Sequence, residues 1–152
     1  MKNYKNFFFE LDGVLASPPM LPNMENSSQI FSNDGFFDNL KPVPQVIQIM
    51  DRLIENGNSV YILSATTSNS MCWERKKSWI SENLPNIPEE NIFFVARSSE
   101  KSTMFSWLSK FLGISKYETV LVDDSRQTIE SVRGAYGNAI HISELLTDYY
   151  DY

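Results

Sequence analysis

Residues 6–13, "NFFFELDG", decide how this chain folds. Three successive phenylalanines leave no polar side. A strand made from them must be covered on both faces, as strands of parallel sheets are. Two carboxylates, Glu10 and Asp12, stand at the end of this apolar run, and Gly13 follows at once. Carboxylates are driven to such a place only where partners or a cation await them.

The same strand-like pattern recurs. "FFFEL" (7–11), "VYILS" (60–64), "IFFVA" (92–96), "TVLVD" (119–123) and "AIHI" (139–142) are short and mostly apolar without alternation. Helical periodicity lies between them. Val43, Val46, Ile47, Met50, Leu53 and Ile54 repeat at three and four, with Gly57 at the place of a C-terminal cap. Trp73, Lys77, Ile80 and Leu84 predict one face of a second helix, stopped by Pro85. Met104, Trp107, Leu108, Phe111 and Leu112 predict a third, ended by Gly113, and 125–133 a shorter one before Gly134. Alternating strands and helices predict a three-layer, Rossmann-like α/β domain over 1–152, with a central parallel sheet of about five strands.

One stretch interrupts the rhythm. Residues 16–41 are rich in Pro, Asn and Ser and read as a cap or loop inserted after the first strand, of a length usually tied to function. The final "TDYYDY" reads as a solvated, frayed end.

Composition bounds the function. The 152 residues suit one domain, and 42% hydrophobic with 13% aromatic residues argues against disorder. Apolar runs of four to five residues are too short for a bilayer, and "MKNYKN" lacks the signal-peptide pattern. One cysteine, Cys72, excludes an intramolecular disulfide and points to a reducing, cytoplasmic setting. A net charge of −6 argues against binding duplex nucleic acid, though not against a small phosphorylated ligand.

Ligands of open parallel sheets bind beyond the carboxyl ends of the strands. Those ends carry Glu10 and Asp12, then Ser64 with Ala65, Thr66 and Thr67, then Ser98, Ser99 and Lys101, and finally Asp123, Asp124 and Ser125. Clustered carboxylates need a cation, and oxygen ligands with room for water suit Mg²⁺. A hydroxyl and an ammonium suit phosphoryl oxygens, so the set predicts phosphoryl chemistry. Other polar residues carry less. His141 reads as a satisfied structural residue, Cys72 has no catalytic partner, and Trp73, Trp79 and Trp107 read as core.

"ELDGVL", "ILSATTS" and "VLVDDS" resemble the signature segments of the haloacid dehalogenase superfamily of phosphohydrolases over roughly residues 7–142. Residues 34–85, with "DGFF", "KPVPQ" and "CWERKKSW", are similar to the 5'(3')-deoxyribonucleotidases. The resemblance implies hydrolysis of a phosphomonoester such as a nucleoside monophosphate, with Mg²⁺ as cofactor and no membrane; a homodimer stays open. It implies Asp12 as general acid/base and Ser64 with Ala65 as phosphate-binding. Glu10, Asp12, Asp123 and Asp124 would form the metal set. Phe36 and Phe37 would lie near the base, or anchor the cap. For the phosphate lysine both Lys76 and Lys101 qualify, with Lys76 preferred.

Glu10 departs from the family, which places an aspartate nucleophile there. One more methylene moves the carboxylate by roughly 1 Å or more, and such a shift can cost about a hundredfold in rate. A catalytically silent phosphate or nucleotide binder, or a protein-interaction module on the same scaffold, is therefore the rival expectation.

Overall fold

The Phe7–Phe9 run lies at the centre of the sheet. In the computed structural model, which describes residues 3–17, 39–66 and 70–149, strand β1 (Asn6–Phe9) is flanked on both sides by parallel neighbours. The described elements continue with β2 (Ala16–Ser17), β3 (Lys41–Pro42), helix α1 (Pro44–Glu55), β4 (Ser59–Ala65) and α2 (Ser70–Asn83). Then come β5 (Ile92–Val95), α3 (Lys101–Phe111), β6 (Thr119–Asp123), α4 (Arg126–Gly134), β7 (Ala139–His141) and α5 (Ile142–Asp148). The five-stranded sheet has the order β5-β4-β1-β6-β7, all parallel, and β2 pairs antiparallel with β3 in a separate ribbon.

Strand order explains why three phenylalanines can follow one another. Alternate side chains of β1 point to opposite faces. Phe7 and Phe9 pack with Val46, Ile49, Met50 and Leu53 of α1, Trp79 and Ile80 of α2, and Leu145 of α5. Phe8 packs on the other face with Phe105 and Leu108 of α3 and Ile129 and Val132 of α4. Its ring stacks on Tyr61 at 4.6 Å and meets Phe105 edge-on at 5.3 Å. The three layers are thus two helical layers around one sheet.

The chain leaves β1 toward β4 and β5 on one side, and later crosses to β6 and β7 on the other. The direction of winding reverses at β1, so a crevice opens between the carboxyl ends of β1 and β6. No described helix is long and apolar enough to cross a membrane.

Two helical faces differ from the sequence reading. Along α2 the buried positions are Cys72, Lys76, Trp79 and Ile80, while Trp73 is partly exposed against the edge of Phe94. Along α3 they are Lys101, Phe105, Leu108 and Ser109. Trp107 and Phe111 stack on each other outside, 54% and 67% exposed. Of the three tryptophans only Trp79 is core, with its indole N–H donating to Leu40 O at 2.8 Å. In both helices a lysine holds an inward position, and an aromatic residue expected inside is displaced.

Residues 141–149 are also more structured than the expected frayed end, of which 150–152 lie outside the described residues. His141 caps α5, its ring nitrogen accepting from Ser143 N while Glu144 returns a bond to the His141 amide. Tyr149 is buried edge-on against Phe7 at 6.1 Å. The expected cap, with Phe36 and Phe37, lies outside the described residues except for its two ends at β2 and β3.

Phe8→Ala should cost about 3–5 kcal/mol, since it empties a site packed from three elements. Trp107→Lys should change stability by less than about 0.5 kcal/mol. Urea unfolding of both variants checks this. A large loss at Trp107 would show that the outer face of α3 is covered.

Candidate active site

Glu10 remains alongside β6, with its amide donating to Val122 O at 3.0 Å. The chain then closes a tight loop in which Leu11 O accepts from the amides of Val14, Leu15 and Ala16, while Gly13 N donates to Ala16 O at 2.8 Å. Gly13 has φ +84°, and a Cβ there would lie 2.2 Å from Asp124 Oδ2. Both facts demand glycine. The loop brings Asp12 and Asp124 to the same crevice mouth.

The Glu10 carboxylate is buried and fully engaged. Its Oε1 accepts from the Leu11 amide at 2.7 Å and from Ser64 Oγ at 2.5 Å. Its Oε2 forms an ion pair with Lys101 Nζ. The same ammonium donates to Asp123 Oδ2 at 2.9 Å, and Asp123 Oδ1 accepts from Ser125 N at 2.8 Å.

A second ammonium sits beside the first cluster. Lys76, 0% exposed, donates to Asp12 Oδ2 at 2.6 Å, to Ala65 O at 2.6 Å and to Ser64 Oγ at 3.0 Å. Ser64, at the end of β4, therefore joins the two clusters, accepting from Lys76 and donating to Glu10. The sequence left a choice between Lys76 and Lys101, and the structure brings both ammonium groups to the same crevice.

Four carboxylates and two ammonium groups leave the set with an excess of two negative charges. Asp12 Oδ1 is buried with no hydrogen-bond partner among the described residues. Asp124 stands at the open rim. Its carboxyl pKa is raised above the ordinary value, chiefly by desolvation of its inner side and next by the Asp123 charge. An orphaned acceptor and a carboxyl held up by a neighbouring anion are both relieved by a divalent cation. The donor set therefore fits Mg²⁺, with Asp12 and Asp124 at the crevice mouth as the candidate ligands. Among the described residues no group of three or more acidic, histidine or cysteine side chains is disposed to hold a metal alone. Mg²⁺ usually takes only one or two carboxylates and completes its shell with water and phosphate.

The structure thus gathers Glu10, Asp12, Ser64, Ala65, Lys76, Lys101, Asp123 and Asp124 at one sheet edge. Phe36 and Phe37 lie outside the described residues. Sequence reasoning missed the Leu11 and Ser125 amides as donors. Backbone groups carry no residue-type signal, and only the strand-end position could have suggested them.

The chain is similar to known proteins in family and in fold. The family "5' nucleotidase, deoxy (Pyrimidine), cytosolic type C protein" matches residues 20–135. Among solved structures, a haloacid dehalogenase-like hydrolase from Bacteroides fragilis superposes with a TM-score of 0.64 at 12% identity, covering 90% of this chain and 86% of that one. A HAD family enzyme from Bacteroides thetaiotaomicron, in complex with magnesium and inorganic phosphate, gives 0.60 at 15% identity over 91% and 93%. The 3-deoxy-D-manno-octulosonate 8-phosphate phosphatase of Moraxella catarrhalis, with magnesium, phosphate and the KDO molecule, gives 0.51 at 19% over 87% and 64%. At these identities the structural likeness is one of fold. A stretch of 95 residues is 28% identical to mouse ribosomal protein S6 kinase delta-1, spanning 57% of this chain and 9% of that protein.

The raised Asp124 pKa carries a signed prediction. Its folded-state value exceeds the unfolded one, so the stabilising proton is fully held below the ordinary carboxylate range. That contribution is lost as pH rises through the raised value. In EDTA, Asp124→Asn should melt close to the native chain at acid pH and increasingly above it toward neutrality. A melting difference that does not change with pH would refute the assignment.

Proposed function

Because the chain belongs to the 5' nucleotidase, deoxy (pyrimidine), cytosolic type C family of haloacid dehalogenase-like phosphohydrolases, we propose that it is a Mg²⁺-dependent phosphomonoester hydrolase acting on a nucleoside monophosphate. The observation that carries this reading is the pair of buried ammonium groups joined through Ser64 at the switch point of the sheet. Such a set suits the oxygens of a phosphoryl group better than a neutral ligand.

In this mechanism Ser64 Oγ and the two ammonium groups hold the phosphoryl oxygens as charge develops on them. Glu10 occupies the position of attack. Its carboxylate oxygen forms a bond to phosphorus while the ester P–O bond breaks, and the departing oxygen takes a proton from Asp12. Lys76 holds one Asp12 oxygen, leaving Oδ1 to face the reacting group. Asp12 then accepts a proton from water, which cleaves the acyl phosphate and restores Glu10. When bound, Mg²⁺ would be held by Asp124 and the Asp12 main-chain carbonyl with Asp123 beside them, and would neutralise charge on the phosphoryl group while the Asp12 carboxyl serves proton transfer. On this reading the insertion at 16–41 would serve as the cap, and Phe36 and Phe37, which lie outside the described residues, would be its candidates for contact with the base. The lone cysteine supports a cytoplasmic setting for this activity.

One observation favours a second reading, a phosphate or nucleotide binder without turnover. Both Glu10 oxygens are already engaged by protein donors, so attack requires Glu10 to give up those contacts.

Phosphate release from a panel of nucleoside monophosphates in Mg²⁺ decides between them. The native chain should turn over slowly, Glu10→Asp about a hundredfold faster, and Asp12→Asn or EDTA should abolish release. If neither the native chain nor Glu10→Asp releases phosphate from any member, the hydrolase reading fails.

A further inference from the structure

The Glu10 carboxylate is surrounded as an anionic ligand would be. A backbone amide from the end of β1, a hydroxyl from β4 and an ammonium from α3 converge on its two oxygens. These donors come from three separate segments of the chain. Behind Ser64 stands Lys76, a second buried ammonium whose charge also reaches the pocket. A structural ion pair needs only a countercharge, and Lys101 already has one in Asp123. The convergence of amide and hydroxyl on Glu10 goes beyond that requirement.

We propose that Glu10 is the resident occupant of this chain's phosphoryl cradle, a tethered carboxylate that fills the place of a phosphate and must withdraw before a phosphomonoester can bind. The proposal rests on the phosphomonoester reading of the site and adds its regulation: the resting protein is self-blocked. The side chain at position 10 sets the block. An aspartate, shorter by one methylene of about 1.5 Å, draws its carboxylate back toward β1 and leaves the Ser64 and Lys101 donors open. A glutamate reaches them. Affinity for phosphate is then reduced by the small fraction of molecules whose Glu10 is withdrawn. The block is chemical, so any small anion able to take those donors should substitute for the missing carboxylate once the side chain is cut away.

Inorganic phosphate and formate are the probes, titrated calorimetrically and by melting temperature against the full chain, in EDTA and again in Mg²⁺. Glu10→Ala removes Cγ, Cδ and both oxygens. It should bind phosphate about a hundredfold more tightly than the native chain, with formate competing and raising its melting temperature. Glu10→Gln, which keeps the volume, should gain much less, and Glu10→Asp should gain phosphate affinity, with added phosphate recovering the stability lost with the Lys101 pair. Should Glu10→Ala fold only when phosphate or formate is added, that rescue supports the cradle directly. Equal phosphate affinity in the native chain, Glu10→Ala and Glu10→Asp overturns the proposal. So does a Glu10→Ala chain that stays unfolded in both anions while Glu10→Asp gains nothing. The two readings fail separately. Tight phosphate binding by Glu10→Asp without nucleotide turnover sinks the hydrolase alone, and turnover by Glu10→Asp at unchanged phosphate affinity sinks the self-block alone.

Discussion

The ammonium of Lys101 is the fixed point of this molecule. It begins α3, lies buried, and is paired with Glu10 beyond β1 and with Asp123 at the end of β6. A buried charge is tolerated only with its partners in place, and breaking one such pair commonly costs about 3–5 kcal/mol. The pairing therefore holds the first strand, the fourth strand of the main sheet and the helix before it in one register. The crevice between β1 and β6 exists because strand order reverses there, but its charge pattern exists because Lys101 reaches it. Lys76 repeats the arrangement from the opposite helical layer, through Asp12 and Ala65 O. The two helices thus reach the hydrogen-bonded Glu10–Ser64 pair from the two faces of the sheet, Lys101 at Glu10 and Lys76 at Ser64.

Most of the sheet was legible in the sequence. Its strands are buried on both faces, so they appear as unbroken apolar runs, and polar residues stand out at their ends. The carboxyl-end rule then assembles Glu10, Asp12, Ser64, Lys101, Asp123 and Asp124 without knowledge of any contact. Helical phase was less legible. Hydrophobic periodicity assigns tryptophan to the core and lysine to water, and α2 and α3 reverse both assignments at Trp73, Lys76, Lys101 and Trp107. The reversal is a consequence of the site, which needs cations where a plain α/β domain would bury aliphatic residues. The helix at 142–148 was missed because it is short and runs straight into the polar, tyrosine-rich 147–152 stretch, which looks solvated. A capping box at His141 and the burial of Tyr149 against Phe7 hold it.

The two lysines also divide their labour. Lys101 touches only carboxylates among its described partners, Glu10 and Asp123, and compensates their charge. Lys76 holds a carboxylate, a carbonyl and a hydroxyl together, which orients Asp12 as much as it neutralises it. An arginine in either place would bring a larger, planar donor group that these close contacts do not accommodate.

The β2–β3 ribbon has an implication for how such a protein can diversify. Residues Ala16–Ser17 pair with Lys41–Pro42, and Asp12 bridges to Ala16, so the two ends of the intervening sequence are held together in one narrow clamp. Closing a longer flexible loop through such a clamp costs only about 0.6 kcal/mol per doubling of its length. Insertions of quite different size and composition can therefore be exchanged at this gate without disturbing the Asp12 loop or the sheet. On the proposed function, substrate selection would then be a replaceable module, separable in evolution and in engineering from the chemistry below it.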